Sequence, residues 1–177
     1  MTGVIQQSGP FARAKNLIAA RDVERAKALL AEAGVSDLTL NLVALTDSAT
    51  QAIAQIIQAN LAEASITVNF QPTEDVAHWS VGNKTAGDDY KSLELVLMNF
   101  AGGIDPTDNL VWFRPNKIGV YNWSFFDSPN CEVLYQKSLV EQDEGKRRAM
   151  FDQMEDLIEG SGGFVFICFE PCIAIHD

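Results

Sequence analysis

Leu38-Thr-Leu-Asn-Leu-Val-Ala-Leu45 and Ile66-Thr-Val-Asn-Phe70 bracket the stretch that decides the fold. The first run alternates apolar and polar residues and then turns fully apolar, as a strand does on entering a core. The second alternates again and is expected to stop at Pro72, because proline cannot donate to a strand ladder. Between them Thr46-Asp47-Ser48 supplies a helix cap. Ile53, Ile56, Ile57 and Leu61 recur at helical spacing and are expected to form that helix's buried stripe. Strand, helix and strand over so short a span fold most economically as a parallel βαβ unit with a right-handed crossover.

Upstream, Asp22 can cap a helix in which Val23, Ala26, Leu29, Leu30 and Ala33 recur, and Gly34 suits the position just past its end. Downstream, Thr73-Glu-Asp starts a shorter helical stretch through Val76, Ala77 and Val81, followed by a polar, turn-like run from Gly82 to Lys91. Leu93-Glu-Leu-Val-Leu-Met98 reads as a third strand, ending in the glycine-bearing loop Asn99-Phe-Ala-Gly-Gly-Ile-Asp-Pro106. Asp108 to Phe113 holds one helical turn, and Ile118 to Phe126 is aromatic-rich and irregular. Ser128-Pro129 reads as a cap followed by a first-turn proline, with Cys131, Leu134, Tyr135 and Ser138 or Leu139 facing inward. Asp143 caps a last helix, with Ala149, Met150, Met154, Leu157 and Ile158 facing in, and Gly160-Ser-Gly-Gly163 ends it. Phe164-Val-Phe-Ile-Cys-Phe169 is expected to be a buried strand stopped by Pro171. There is no internal repeat and no low-complexity linker. The expected architecture is one α/β domain, a mainly parallel sheet with flanking helices.

The 177 residues are 47% apolar and 21% charged, ordinary globular values that exclude wholesale disorder. Asp and Glu total 24 against 13 Lys and Arg, a net charge of −11. That field repels phosphate backbones and anionic lipid, so nucleic acid and the membrane surface are poor partners and none is expected. The longest apolar runs fall far short of the roughly 18 residues a membrane span needs, so no membrane insertion is expected. Met1 to Ala20 lacks a signal-peptide pattern, since Arg13 and Lys15 follow a polar stretch and no apolar run comes after them. Taken literally the chain is cytoplasmic; otherwise it is a piece of something longer.

Few residues carry chemistry by themselves. Cys131, Cys168 and Cys172 read as small buried hydrophobes; in an extended strand the last two would lie about 13 Å apart, too far for a disulfide. His78 and His176 are the only imidazoles, and there is no Ser-His-Asp arrangement, Gly-x-Ser-x-Gly elbow or Walker loop. No metal site and no cofactor are expected. Asp88, Asp89, Asp105 and Asp108 read first as turn and cap residues, although a pair of them would suit acid–base work. Gly102-Gly103 is either a tight turn or a place where a ligand approaches backbone at a strand's carboxyl end. Trp112, Tyr121, Trp123, Phe125 and Phe126 either fill a satellite core or line a pocket.

The order of these segments resembles the C-terminal lobe of the large periplasmic solute-binding proteins of peptide and nickel ABC importers, solute-binding family 5. Arg21 to Gly34 is similar to the helix at the start of that lobe, and Leu38 to Leu45 with Gln51 to Leu61 to its strand and following helix. Asn99-Phe-Ala-Gly-Gly-Ile-Asp-Pro-Thr-Asp-Asn109 resembles the family's "W-x-A-D-Y-x-D-P" loop. Asn122-Trp-Ser-Phe-Phe-Asp-Ser-Pro-Asn-Cys-Glu-Val133 resembles its "N-W/Y-S-x-Y-x-N-P-E-V-D" segment, and Asp143 to Ile158 its "D-x-x-x-R-x-x-L-Y" helix. The resemblance implies a type II periplasmic-binding-protein-like lobe, a fragment of a larger two-lobed protein. Residues 1–177 would form a single lobe, with 1–20 a lead-in near the inter-lobe hinge, 21–171 the core and 172–177 its end. It implies a periplasmic parent, a small-molecule solute, ABC permease subunits and a missing N-terminal lobe as partners, and no catalysis.

Two positions depart from the family's loop: Gly102 stands where peptide-binding members are expected to carry the Asp that pairs with the ligand's α-amino group, and Asn99 replaces the loop's Trp. Asn99 both donates and accepts hydrogen bonds, so the expected solute is an oligopeptide or an opine-like or sugar-like compound. The expected ligand-binding residues are Asn99, Phe100, Ala101, Gly102, Asn122 and Trp123. The rival readings are a small acidic enzyme using Asp105 and Asp108, and a protein-docking module.

Overall fold

A computed structural model describes residues 3–6, 9–15, 17, 20–100, 102–103 and 105–168. By its internal contacts the chain divides into two compact units. One, the sheet unit, is Ala20–Phe100 with Gly119–Trp123; the other, the helical unit, is Met1–Ala19, Ala101–Ile118 and Ser124–Asp177.

In the sheet unit Asp22 accepts from the Arg25 N–H and opens helix α1, Val23–Glu32, which ends before Gly34 at φ +67°. The α1 stripe is only half-buried: no residue of the helix is fully covered, and Leu29 is exposed. Strand β1, Thr39–Leu45, helix α2, Ser48–Ala62, and strand β2, Thr67–Thr73, form the expected parallel pair with its connecting helix, in register Leu42 to Phe70. Asp47 caps α2 by accepting from the Thr50 N–H at 2.9 Å. Two details differ from expectation. β2 runs through Pro72, opposite Ala44, which an edge strand tolerates because one side of its ladder needs no donor. The buried stripe of α2 is turned by a fraction of a turn: Thr50 and Ala54 are covered, Ile57 and Leu61 pack on the core, and Ile56 is 60% exposed.

The third strand is much shorter than the apolar run suggests. Only Leu95–Val96, β3, pairs with β1, again parallel, so the sheet order is β2-β1-β3. β1 is central. Leu42 on one face meets Ala54 of α2 together with Val68, while Leu95 and Leu97 pack alongside. On the other face Asn41 and Val43, with Gln71, line a cavity of about 220 Å³ closed by Asp89, Ser92, Leu93, Glu94 and Val81. Helix α3, Asp75–Val81, buries His78, whereas the expected Val76 is 81% exposed.

The helical unit holds α4, Pro106–Leu110, α5, Pro129–Ser138, and α6, Glu144–Gly160. Ser128 and Asp143 cap α5 and α6, each accepting the N–H three residues on. Phe151, Met154 and Ile158 of α6 pack with Cys131 and Tyr135 of α5, Leu110, Phe113 and Ile5. Ser138 rather than Leu139 faces in, and the expected Ala149 is exposed; Phe151, Glu155 and Glu159 take the buried positions instead. Phe164–Cys168 is not a strand: all three strands among the described residues belong to the sheet unit, and none of them pairs with this backbone. Phe164 and Phe166 still plug the core, Phe164 at 4.8 Å from the Phe113 ring, while Val165 and Cys168 face solvent. Cys168 is therefore no buried hydrophobe, and Cys172 and His176 lie outside the described residues.

The turned α2 stripe has a measurable consequence. Leu42→Ala is expected to cost about 2–5 kcal/mol in urea unfolding, as core truncations do. Ile56→Ala is expected to cost about 0.5 kcal/mol or less. Equal losses would restore the stripe read from periodicity.

Candidate functional site

Parallel pairing collects the carboxyl ends of all three strands at one edge of the sheet. The contacts there are direct: Thr73 Oγ1 donates to Ala44 O at 3.2 Å, Thr46 Oγ1 donates to Glu74 Oε1 at 3.3 Å, and the Leu97 N–H donates to Val43 O at 2.9 Å. The chain leaves β3 there and runs straight through Asn99, which is exposed, and Phe100, which is 40% exposed. Ligands of open α/β sheets bind outside the carboxyl ends of strands, so this edge is the candidate site.

An aromatic block supports the sheet unit. The Trp123 indole lies directly over Gly82, where a Cβ would fall 1.9 Å from Cε2 of the ring, and it donates from Nε1 to Val120 O at 2.8 Å. His78 stands edge-on to both Trp79 and Trp123, at 5.6 and 6.1 Å between ring centres. Trp79 donates to Asp75 Oδ1 at 3.0 Å and is the outermost ring of the three. The Lys84 N–H donates to Gly119 O, which ties the 119–123 strand of chain to this unit. His78 Nδ1 lies 3.0 Å from Thr73 Oγ1. Where that hydroxyl gives its proton to Ala44 O, the ring donates from Nδ1; Nε2 is buried and has no hydrogen bond among the described residues. Burial drives the His78 pKa below its usual 6.5, only partly opposed by Asp75, so the ring is neutral at pH 7.

In the helical unit the glycines are held by side chains of α4. A Cβ on Gly102 would fall 1.2 Å from Asn109 Oδ1, and one on Gly103 1.9 Å from Asp108 Oδ2. Neither position accepts a side chain without moving its neighbour. Asp105 is committed to structure: it caps α4 through Thr107 and takes both of its oxygens to Arg147 Nη2 at 2.9 and 2.8 Å. Burial raises its pKa, but the hydrogen bonds from Thr107 and Arg147 outweigh that and keep it below the usual carboxylate range. A carboxylate so engaged is a poor general acid or base. Burial lifts the Cys131 thiol to about 11, so it is no nucleophile. Among the described residues no group of three or more His, Cys, Asp or Glu gathers for a metal, and no helix is long and apolar enough to cross a membrane.

Of the expected ligand-binding residues, Asn99, Phe100, Asn122 and Trp123 fall in the sheet unit and Gly102 in the helical unit, while Ala101 lies outside the described residues. Asn99 and Phe100 are exposed at the edge; Asn122 and Trp123 are 1% and 6% exposed and belong to the unit's interior. At the level of sequence, His78 figures only as one of two imidazoles and Gly82 only as the start of a turn-like run, and neither they nor Trp79 are brought together with Trp123. Their signal was His78 and Gly82 one helical turn apart beside a second tryptophan, which is legible only once Trp123 is known to arrive from far along the chain.

A family model described as "Bacterial extracellular solute-binding proteins, family 5 Middle" matches residues 2–118. No curated protein matches the chain. Among solved structures, the chain is similar to a dipeptide binding protein from Pseudoalteromonas sp. SM9913 in complex with Met-Leu, at TM-score 0.80 and 18% identity over 92% of this chain and 33% of that one. It is similar to the periplasmic binding protein DppA from Helicobacter pylori in complex with peptide STSA, at TM-score 0.78 and 20% identity over 93% of this chain and 32% of that one. The murein tripeptide binding protein MppA of Escherichia coli gives TM-score 0.76 and 18% identity over 89% of this chain and 31% of that one. At these identities the likeness is one of fold, and the chain spans about a third of the length of the structures it matches.

The buried imidazole sets a pH dependence. Its folded pKa lies below the unfolded 6.5, so the unfolded chain takes the proton first and stability present above pH 6.5 is lost as pH falls through it. Hydrogen exchange of the β1 amides is expected to speed up, after correction for intrinsic rates, between pH 7 and 5.5, and His78→Gln should remove that dependence. Gly82→Ala is expected to displace Trp123, with a loss of about 1–3 kcal/mol and a weakened near-ultraviolet tryptophan signal. An unchanged signal would show that the indole does not rest on this glycine.

Proposed function

The chain belongs to the bacterial extracellular solute-binding proteins of family 5, and from that premise we propose that it is part of a binding lobe. In this reading a longer, two-lobed polypeptide captures a small polar solute in the cleft between its lobes, in the periplasm or outside the cell, and delivers it to an ABC permease. The observation that supports it most is the path of the chain after β3, which carries exposed Asn99 and Phe100 off the carboxyl edge of a parallel sheet. The solved relatives named above were captured with, or are named for, short peptides.

The roles follow from side-chain chemistry. Asn99 donates and accepts hydrogen bonds, and Phe100 offers an aromatic face. Asn122 and Trp123, 1% and 6% exposed, would support this edge from the unit's interior rather than touch the solute. The side-chain position at residue 102 carries no carboxylate, and the Asn109 amide occupies its space. That favours a neutral hydrogen-bonding group on the solute at this point, as in an amide of an oligopeptide or a hydroxyl of an opine-like or sugar-like compound. A solute touching both lobes stabilises the closed form by its difference in affinity for the closed and open states, and no bond is made or broken. The engagement of Asp105 with Arg147 weighs against the enzyme reading.

In the full-length protein Asn99→Ala and Phe100→Ala are each expected to weaken solute binding by about tenfold, or ~1.4 kcal/mol, and to lower uptake in proportion. The melting temperature without solute should stay close to the parent value, since both side chains are exposed. Unchanged affinity in both variants would remove this edge from the site.

A further inference from the structure

Asp152, Glu155, Asp156 and Glu159 are spaced three and four apart, which places them along one stripe of α6. Within the helical unit that stripe receives the N-terminal segment. The Ile5 N–H donates to Glu155 Oε1 at 2.9 Å, and the Leu17 N–H donates to Glu159 Oε2 at 3.0 Å. Arg13 divides its guanidinium between Asp156 and Glu159, and Arg148 of α6 donates to the carbonyls of Pro10 and Ala12. Ile5 is itself part of the buried core. Glu155 is the most enclosed of these groups: its side chain is fully buried, and among the described residues Oε2 has no hydrogen-bond partner within bonding geometry. The segment comes so close that a Cβ on Gly3 would fall 2.1 Å from Glu155 Oε1, at a φ of +149° that only glycine adopts readily. An ionised carboxylate held this way, with one oxygen unsatisfied, carries a large desolvation cost.

We propose that Glu155 is a proton-operated clasp: with its proton it holds residues 3–6 and 9–15 against α6, and without it the grip on them loosens. The groups around it set the direction. The segment presents Arg13, and α6 presents Asp152, Asp156, Glu159 and Arg148. α5 faces the same core with Cys131 and Tyr135, and burial raises both pKa values, so they stay neutral. Burial first, and then Asp152, push the Glu155 pKa up, while the N–H groups of Ile5 and Val4 and the charge of Arg13 pull it down; the balance is about 7. The docked segment therefore binds the proton more tightly than the released one, whose carboxyl returns towards the ordinary 4.5. Docking is favoured on the acid side and weakens as pH rises to about 7, above which it changes no further.

The test is amide hydrogen exchange at Ile5 in the unaltered chain from pH 5 to 8.5, corrected for intrinsic rates. Protection is expected to fall by about tenfold per pH unit between pH 5 and 7 and to level off above 8. Glu155→Gln, a neutral isostere, should keep high protection at every pH. A flat profile in the unaltered chain, or the same slope in Glu155→Gln, would overturn the proposal. Should that variant fail to fold, carbon-13 titration of the Glu155 carboxyl in the unaltered chain decides: an inflection near 7 supports the clasp, and one near 4.5 refutes it. Gly3→Ala, which crowds the clasp without touching the carboxyl, should move that inflection towards 4.5.

Discussion

The sheet unit depends on β1 being paired on both sides by parallel neighbours. A parallel strand exposes no face to water without cost, and β1 accordingly has Leu42 against Ala54 of α2 on one side while Val43 is covered on the other. The same pairing decides where loops emerge. Because β2 and β3 both run with β1, the ends at Leu45, Thr73 and Val96 share an edge, and whatever follows β3 is delivered there. Asn99 and Phe100 are exposed at that edge because of topology, before any argument about their chemistry.

Each unit pairs a well-packed apolar cluster with one polar group that the packing has made unusual. In the sheet unit it is His78, neutral and bonded through Nδ1 to the Thr73 hydroxyl, held among indoles, one of which rests on Gly82 where a side chain would clash. In the helical unit it is Glu155, covered by a segment nearly the whole length of the chain away in sequence. Burial acts on both pKa values in the direction of the neutral form, downward for the imidazole and upward for the carboxyl. The two units consequently respond to acid with opposite signs: protonation is resisted in one and welcomed in the other.

Local signals carried most of the architecture. Caps at Asp22, Asp47, Ser128 and Asp143 act where the residue types place them, since a side-chain oxygen three residues before an orphan N–H needs no tertiary help. The βαβ pattern was legible for the same reason. Failures arose wherever tertiary partners decide. Ile56 fits the helical period but faces solvent, because the sheet meets α2 closer to Ala54. Phe164 to Cys168 has a strand's composition and, among the described residues, no neighbour to pair with. Nothing local in the sequence marks Glu155 and Glu159 for burial; the N-terminal residues that donate to them decide it. Of the candidate site, the position of Asn99 and Phe100 was legible from the strand and loop pattern, whereas the enclosure of Trp123 by Gly82 joins residues too far apart in sequence for any local signal to report.

The central claim is that this chain helps a larger protein hold a small polar solute without transforming it. The most direct measurement is thermal unfolding of the full-length protein against a panel of short peptides, opine-like compounds and sugars, with recovery of each solute afterwards. A solute bound only by the folded form must raise the melting temperature in step with the logarithm of its excess over Kd, and it must be recovered intact. The account predicts that result for at least one member of the panel. A protein whose melting temperature ignores every solute at millimolar concentration, or that returns one of them chemically altered, would contradict it.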